Sequence, residues 1–170
     1  MVIYLIACIA KNRAIGYKNQ LLYSIKEDLE RFKQLTTGHT ILMGRKTFES
    51  LPHGALPNRK NIVITHQDIR LEGCEVYNSI EEALAVSDDE CIYIIGGESI
   101  YQQTIDKADK LFLTLVDDYP ENADTYFPEV SSTTWKSVIQ EPSQTRRTKE
   151  GRKLSFHFII LERKATDDNG

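Results

Sequence analysis

The chain has 170 residues, 41% of them hydrophobic, and a formal net charge of −4; that length allows one domain with a real core but not two catalytic domains. The acidic balance excludes a globally basic nucleic-acid binder, leaving open only a local basic patch around an anionic ligand. Cys8, Cys74 and Cys91 are odd in number, widely spaced and without zinc-ligand spacing, so neither a disulfide framework nor a structural metal is expected.

The amino end, residues 1–10, is apolar but far shorter than a membrane span and carries no basic leader, so Val2 to Ala10 reads as a buried strand of a cytoplasmic protein with no membrane partner. Ser24-Ile25-Lys26-Glu27 has the spacing of a capping box, which predicts a helix starting there and running towards Thr36-Thr37-Gly38. At about 100° per residue, Ile25, Leu29, Phe32 and Leu35 form one apolar stripe, and Asp28 falls inside it. A carboxylate on such a face must find a hydrogen-bonding partner, raise its pKa or look into a pocket. A structural aspartate satisfied by backbone groups is the plainer alternative.

Further strands are expected at residues 40–43, 61–65, 91–95 and 110–116, with helices starting near Arg45, Ser79 and Ser99. Ser79 and Glu82 form a second capping-box pattern. Short β-rich runs alternating with helices give an α/β fold, a mostly parallel sheet covered on both faces. Residues 135–140 and 154–162 read as two strands joined by a polar turn at 146–151, an antiparallel hairpin edging that sheet. A single domain at 1–164 is followed by a polar tail at 165–170, expected to be disordered.

Two strand-to-helix turns have the composition of anion sites. Met43-Gly44-Arg45-Lys46-Thr47 places two cations where a helix start ordinarily favours acids, which suits phosphate or, more plainly, two side chains bent into solvent. Ile95-Gly96-Gly97-Glu98-Ser99 lets backbone approach a ligand closely, although a simple turn explains it as well. Neither the Gly-x-Gly-x-x-Gly fingerprint nor a Walker-type phosphate loop is present.

Taken in order, Ile6-Ala7, Ile15-Gly16, residues 28–33, residues 43–50, residues 56–61, Ile95-Gly96-Gly97, Thr114 and Asp124-Thr125-Tyr126-Phe127-Pro128 resemble the dihydrofolate reductases, nearly without gaps from Val2 to about Lys164. The resemblance implies a central eight-stranded, mostly parallel sheet flanked by helices, and an NADPH-dependent oxidoreductase acting on dihydrofolate. In the positions that match, Asp28 becomes the one ionisable side chain at the pterin, supported by Thr114. Ile6, Ala7, Leu29, Phe32, Leu51, Leu56 and Ile95 become walls of the substrate site. Arg59 becomes the grip on the glutamate carboxylate, because guanidinium donates two parallel hydrogen bonds to a carboxylate. Cofactor contacts carry over to Ile15, Gly16, Leu21, Gly44, Arg45, Lys46, Thr47, Thr65, His66, Gly96, Gly97, Glu98, Ser99, Ile100 and Tyr101, with no metal, no nucleic acid and a monomer expected.

The chain departs from the family pattern at Leu22-Tyr23, where Pro-Trp is common, at Glu98 in the third glycine position, and at Ser99, where many relatives carry a basic residue. Tyr23 is therefore expected to take over part of the catalytic loop's work through its hydroxyl. The competing readings are a related NADPH-dependent pyrimidine reductase and a non-catalytic folate- or nucleotide-binding module.

Overall fold

The computed structural model describes residues 1–148 and 150–165. The tail expected at 165–170 lies outside them from residue 166 onward.

In chain order the elements are β1 (Val2–Ala10), β2 (Ala14–Tyr17), β3 (Gln20–Leu21), α1 (Lys26–Thr36), β4 (Thr40–Gly44), α2 (Arg45–Ser50), β5 (Lys60–Ile64) and β6 (Cys74–Tyr77). They continue with α3 (Ile80–Val86), β7 (Cys91–Gly96), α4 (Glu98–Thr104), a 3₁₀ turn at Ile105–Lys107, β8 (Lys110–Val116), β9 (Thr125–Tyr126), β10 (Trp135–Gln140), β11 (Gln144–Arg147) and β12 (Lys153–Arg163). One large sheet has the order β10-β12-β8-β1-β7-β4-β5-β6, with β11 also paired to β12. From β8 through β6 every neighbour is parallel, while β12 runs antiparallel to β8, β10 and β11. A small three-stranded sheet, β3-β2-β9, forms an arm.

The expected antiparallel edge is present but differently built. β12 is interior, paired along Phe156–Glu162 to β8, and its other edge is shared by β10 and the unexpected strand β11. Gln144 to Arg147 are all exposed and polar, so no hydrophobic alternation marks β11.

Alternation along β1 decides which residues reach which face. Ile3, Leu5, Ala7 and Ile9 enter one core with Leu42, Ile62, Ile92, Ile94 and Leu111. Tyr4 and Ile6 lie on the opposite face with Tyr93 and Phe112, where Cys8 aligns with Thr114 of β8. That face is the one α1 crosses.

The capping box expected at Ser24 does not form. The helix starts at Lys26, Ile25 is its N-cap, and no side chain caps it. Ile25 is buried and its carbonyl already accepts from Leu29 N at 3.0 Å, so packing of Ile25 sets the entry. Ser79 does cap α3, accepting from Glu82 N at 3.1 Å. The helix expected at Ser99 begins one residue earlier, after Gly97.

Candidate active site

Asp28 sits in the first turn of α1 and is half-buried. Thr114 Oγ1 donates to its Oδ1 at 2.5 Å, joining the helix to the middle of the sheet. Burial pushes the Asp28 carboxyl above its ordinary range, opposed by that hydrogen bond and by the charge of Arg31. Arg31 is held one turn along the same helix, its guanidinium 4.4 Å from the centre of the Phe158 ring and 5.9 Å from that of Phe112. Burial, with the Asp28 carboxylate nearby, pushes the Cys8 thiol well up.

The stripe read from the sequence is only partly core. Ile25 is buried and Leu35 and Phe32 are half-buried, but Leu29 is 48% exposed. Ile6, Leu35, Leu51, Leu56 and Ile95 pack around one core cluster with Met43 and Phe112, which brings together most of the expected apolar wall. Ala7 does not join it. Its methyl belongs to the opposite face of the sheet, and Cys8 is the next residue of β1 on the Asp28 side.

At the far end of α1, Arg59 donates from Nε to Pro57 O at 2.9 Å and from Nη1 to Thr36 Oγ1 at 3.2 Å, with its guanidinium 6.0 Å from the Phe32 ring centre. The loop presenting it is fixed from below by Asn61, which is 2% exposed. Asn61 accepts from Leu56 N at 2.9 Å and donates to Leu56 O at 2.9 Å and Arg59 O at 3.0 Å. Thr36, Asn61, Arg31 and Cys8 were missed as functional candidates. A threonine closing a helix and an asparagine opening a buried strand were the available signals.

Tyr23 is 8% exposed and lies in a cluster with Ala10, Ile25, Val116, Phe156 and Phe158. Its hydroxyl donates to Asp118 Oδ2 at 2.7 Å, and Arg152 pairs with the other carboxylate oxygen. A buried O–H must find an acceptor, and the acceptor here is Asp118 rather than a group on the Asp28 side. Burial and the Asp118 contact both push the phenol pKa up.

The two candidate anion turns meet at the carboxyl ends of adjacent strands, where β4 and β7 pair Met43 with Gly96. A Cβ on Gly97 would lie 3.4 Å from Thr47 Oγ1, and one on Gly44 would lie 3.2 Å from Ile100 Cγ1. The backbone therefore forms a side-chain-free cradle floored by Ile100 and edged by the Thr47 hydroxyl. Neither α2 nor α4 has a side-chain N-cap, so their first N–H groups remain available, unlike those of α3. Arg45 pairs with Glu49 at 3.0 Å and Lys46 is exposed, while Thr65, half-buried, and His66, exposed, follow β5 at the same sheet end. These groups fit a dinucleotide with an extra phosphate.

Ile100 and Tyr101 are buried beneath the turn, and the Tyr101 hydroxyl donates to Ile6 O at 2.7 Å, linking the cradle to β1. Glu98 is tied down by accepting from Tyr126 N at 2.8 Å, and the exposed Ser99 Oγ accepts from Gln103 Nε2 at 2.9 Å. In the arm, Ile15 is buried, Gly16 pairs with Leu21 and Thr125, and Leu21 is 70% exposed. Asp124 fastens the arm by accepting from Lys18 N at 3.0 Å.

A family model described as dihydrofolate reductase matches residues 2–163. The dihydrofolate reductase of Bacillus subtilis (strain 168) is 37% identical over 163 residues, covering 94% of this chain and 93% of its own length. That of Buchnera aphidicola subsp. Acyrthosiphon pisum (strain APS) is 39% identical over 165 residues, 96% of this chain and 100% of its own length. Among solved structures, dihydrofolate reductase from Enterococcus faecalis complexed with NADP(H) and RAB-propyl aligns with a TM-score of 0.84 at 29% identity, over 96% of this chain and 97% of that one. A family match over residues 2–163, relatives of 37% and 39% identity covered over more than nine-tenths of their length, and a shared overall fold place this chain in the dihydrofolate reductase family.

Proposed function

We infer that this chain reduces 7,8-dihydrofolate to 5,6,7,8-tetrahydrofolate with NADPH, and that Asp28 promotes protonation of the pterin. The observation carrying the assignment of Asp28 is its geometry: a half-buried carboxyl on α1, aimed by Thr114 and faced by Tyr101, the residue that packs beneath Gly96. When bound, the reduced nicotinamide supplies a hydride.

The chain's own residues then have separable roles. Asp28 holds the amino-pyrimidine edge, and its raised pKa keeps a proton on the carboxyl to higher pH than an ordinary aspartate would, as a source for the neighbouring ring nitrogen. Thr114 fixes the carboxyl's orientation. Ile6, Leu51, Leu56 and Ile95 wall the site and exclude water, joined by the half-buried Phe32 beside Arg59, with Leu29 exposed on the same helix. Arg59, oriented by Thr36, receives the glutamate carboxylate. Gly44, Gly97 and Thr47 accommodate the diphosphate, and Arg45, Lys46, Thr65, His66 and Ser99 lie towards the 2′-phosphate end. Ile15, Gly16 and Leu21 cover the nicotinamide from the arm.

A monomer is the proposed working unit. Cys8, Cys74 and Cys91 are free thiols, in keeping with a reducing cytoplasm. Among the described residues, no helix is long and apolar enough to cross a membrane.

The test is the loss of NADPH absorbance in purified protein mixed with dihydrofolate. Oxidation that requires both partners supports the assignment; binding of both without turnover favours the folate-binding module instead. Catalytic efficiency with NADPH is expected to exceed that with NADH by about 10- to 100-fold, the worth of one or two charge-assisted contacts to the extra phosphate. Equal efficiencies would remove the assignment of Arg45, Lys46 and His66.

Asn61→Ala should destabilise the protein by about 2–4 kcal/mol, because three loop hydrogen bonds lose a buried partner. The same variant should raise KM for dihydrofolate while sparing KM for NADPH. Denaturant unfolding and steady-state kinetics check the two halves separately.

A further inference from the structure

The loop that follows β3 ends in a polar assembly belonging to none of the roles above. Tyr23 and Asp118 are each 8% exposed, joined by the hydroxyl's 2.7 Å hydrogen bond, and Arg152 closes the carboxylate from the β11–β12 turn. Three segments distant in sequence therefore meet: the loop before α1, the chain leaving β8, and the hairpin. The hairpin is also tied to α1 itself, since Arg146 of β11 pairs with Glu27, the residue preceding Asp28. Tyr23 packs against Ile25, whose burial sets the start of the helix.

We propose that Asp118 is a positioning residue for the reaction: backed by Arg152, it holds the Tyr23 hydroxyl, and through the Tyr23 ring it sets the entry of α1 and hence the placement of Asp28. The proposal rests on the reductase reading of the site. Asp118 touches neither substrate nor cofactor in this account. It works by keeping the Tyr23–Asp28 segment seated against β1, β8 and β12.

A consequence follows for the pH profile. The groups facing Asp28 are Arg31 on α1, Cys8 on β1, Tyr101 on α4 and Thr114 on β8. Burial is the largest influence raising the Asp28 pKa, so a loosened segment that admits water moves it back towards the ordinary carboxylate value. The protonated fraction at a given pH then falls, and the alkaline limb of the rate profile moves to lower pH.

The experiment compares Asp118→Ala, Asp118→Asn, Tyr23→Phe and the Asp118→Ala/Tyr23→Phe double variant with the parent, by single-turnover hydride transfer across pH, melting temperature and amide hydrogen exchange. Asp118→Ala should slow hydride transfer about tenfold or more and shift its alkaline limb acid-ward, with KM for NADPH unchanged. Asp118→Asn, which keeps an acceptor for the hydroxyl, should recover most of the rate. The double variant should be no worse than Asp118→Ala, because the two residues act as one unit. Exchange across residues 23–28 should accelerate in Asp118→Ala. A parental pH profile in Asp118→Ala, with only the melting temperature lowered, would reduce Asp118 to a structural role and overturn the proposal, as would independent, additive losses. A parent chain without turnover overturns the reductase reading instead, while unchanged exchange at residues 23–28 in Asp118→Ala overturns the coupling on its own.

Discussion

Asp28→Asn is expected to slow hydride transfer near neutral pH by about 10²- to 10⁴-fold, the usual worth of a positioned acid-base group, while NADPH binding stays at the parental level. The amide is nearly isosteric and keeps an oxygen for the Thr114 hydroxyl, so the packing of α1 on β8 survives and the loss reports chemistry. Activity should return in part at low pH, where substrate arrives already protonated. The same variant should be more stable than the parent at neutral pH. Burial raises the Asp28 pKa in the folded state, so the folded protein holds the proton to higher pH than the unfolded chain does. Stability from this group is full below the unfolded pKa and is lost as pH rises through the folded one, a penalty the amide never meets. A parental hydride-transfer rate in Asp28→Asn would remove the assignment.

Arg59→Leu is expected to raise KM for dihydrofolate by about 30- to 1000-fold, corresponding to the roughly 2–4 kcal/mol lost when one partner of a desolvated charge pair is removed. Its guanidinium is already aimed: Nε and Nη1 are committed to Pro57 O and Thr36 Oγ1, so little ordering entropy remains for binding to consume. Burial lowers its pKa, but far too little for an arginine to lose its charge near neutrality. Substrate lacking the glutamate tail should bind parent and variant alike. A full KM effect on that truncated substrate would mean that Arg59 supports the loop and not the carboxylate.

The sheet was legible because its strands are continuous apolar runs. β1 and β8 have the expected bounds, and β4, β5 and β7 fall within a residue of them. The arm and β11 were not legible. β2, β3, β9 and β11 have two to four residues each, and their pairing comes from contacts across the chain, such as Gly16 with Thr125, which no local pattern encodes. Asp28 was visible as a carboxylate out of place on a helical stripe, and Thr114 aligns with that reading. The grouping of the two glycine turns depended on resemblance, since each alone reads as an ordinary turn. Tyr23 shows where side-chain reasoning stopped. A tyrosine in a loop announces that its hydroxyl needs a partner, but only the fold brings Asp118 and Arg152 to it. Glu98, a misfit beside a phosphate site by charge, is accounted for by its hydrogen bond to Tyr126 N.

The single-turnover rate of hydride transfer, measured against pH with NADPH and with NADPH deuterated at the transferred position, tests the role of Asp28 most directly. An isotope effect that marks the chemical step is expected. The rate should fall with rising pH through a midpoint above the ordinary aspartate range, a limb absent from Asp28→Asn. A rate independent of pH, or the same limb retained in Asp28→Asn, would contradict it.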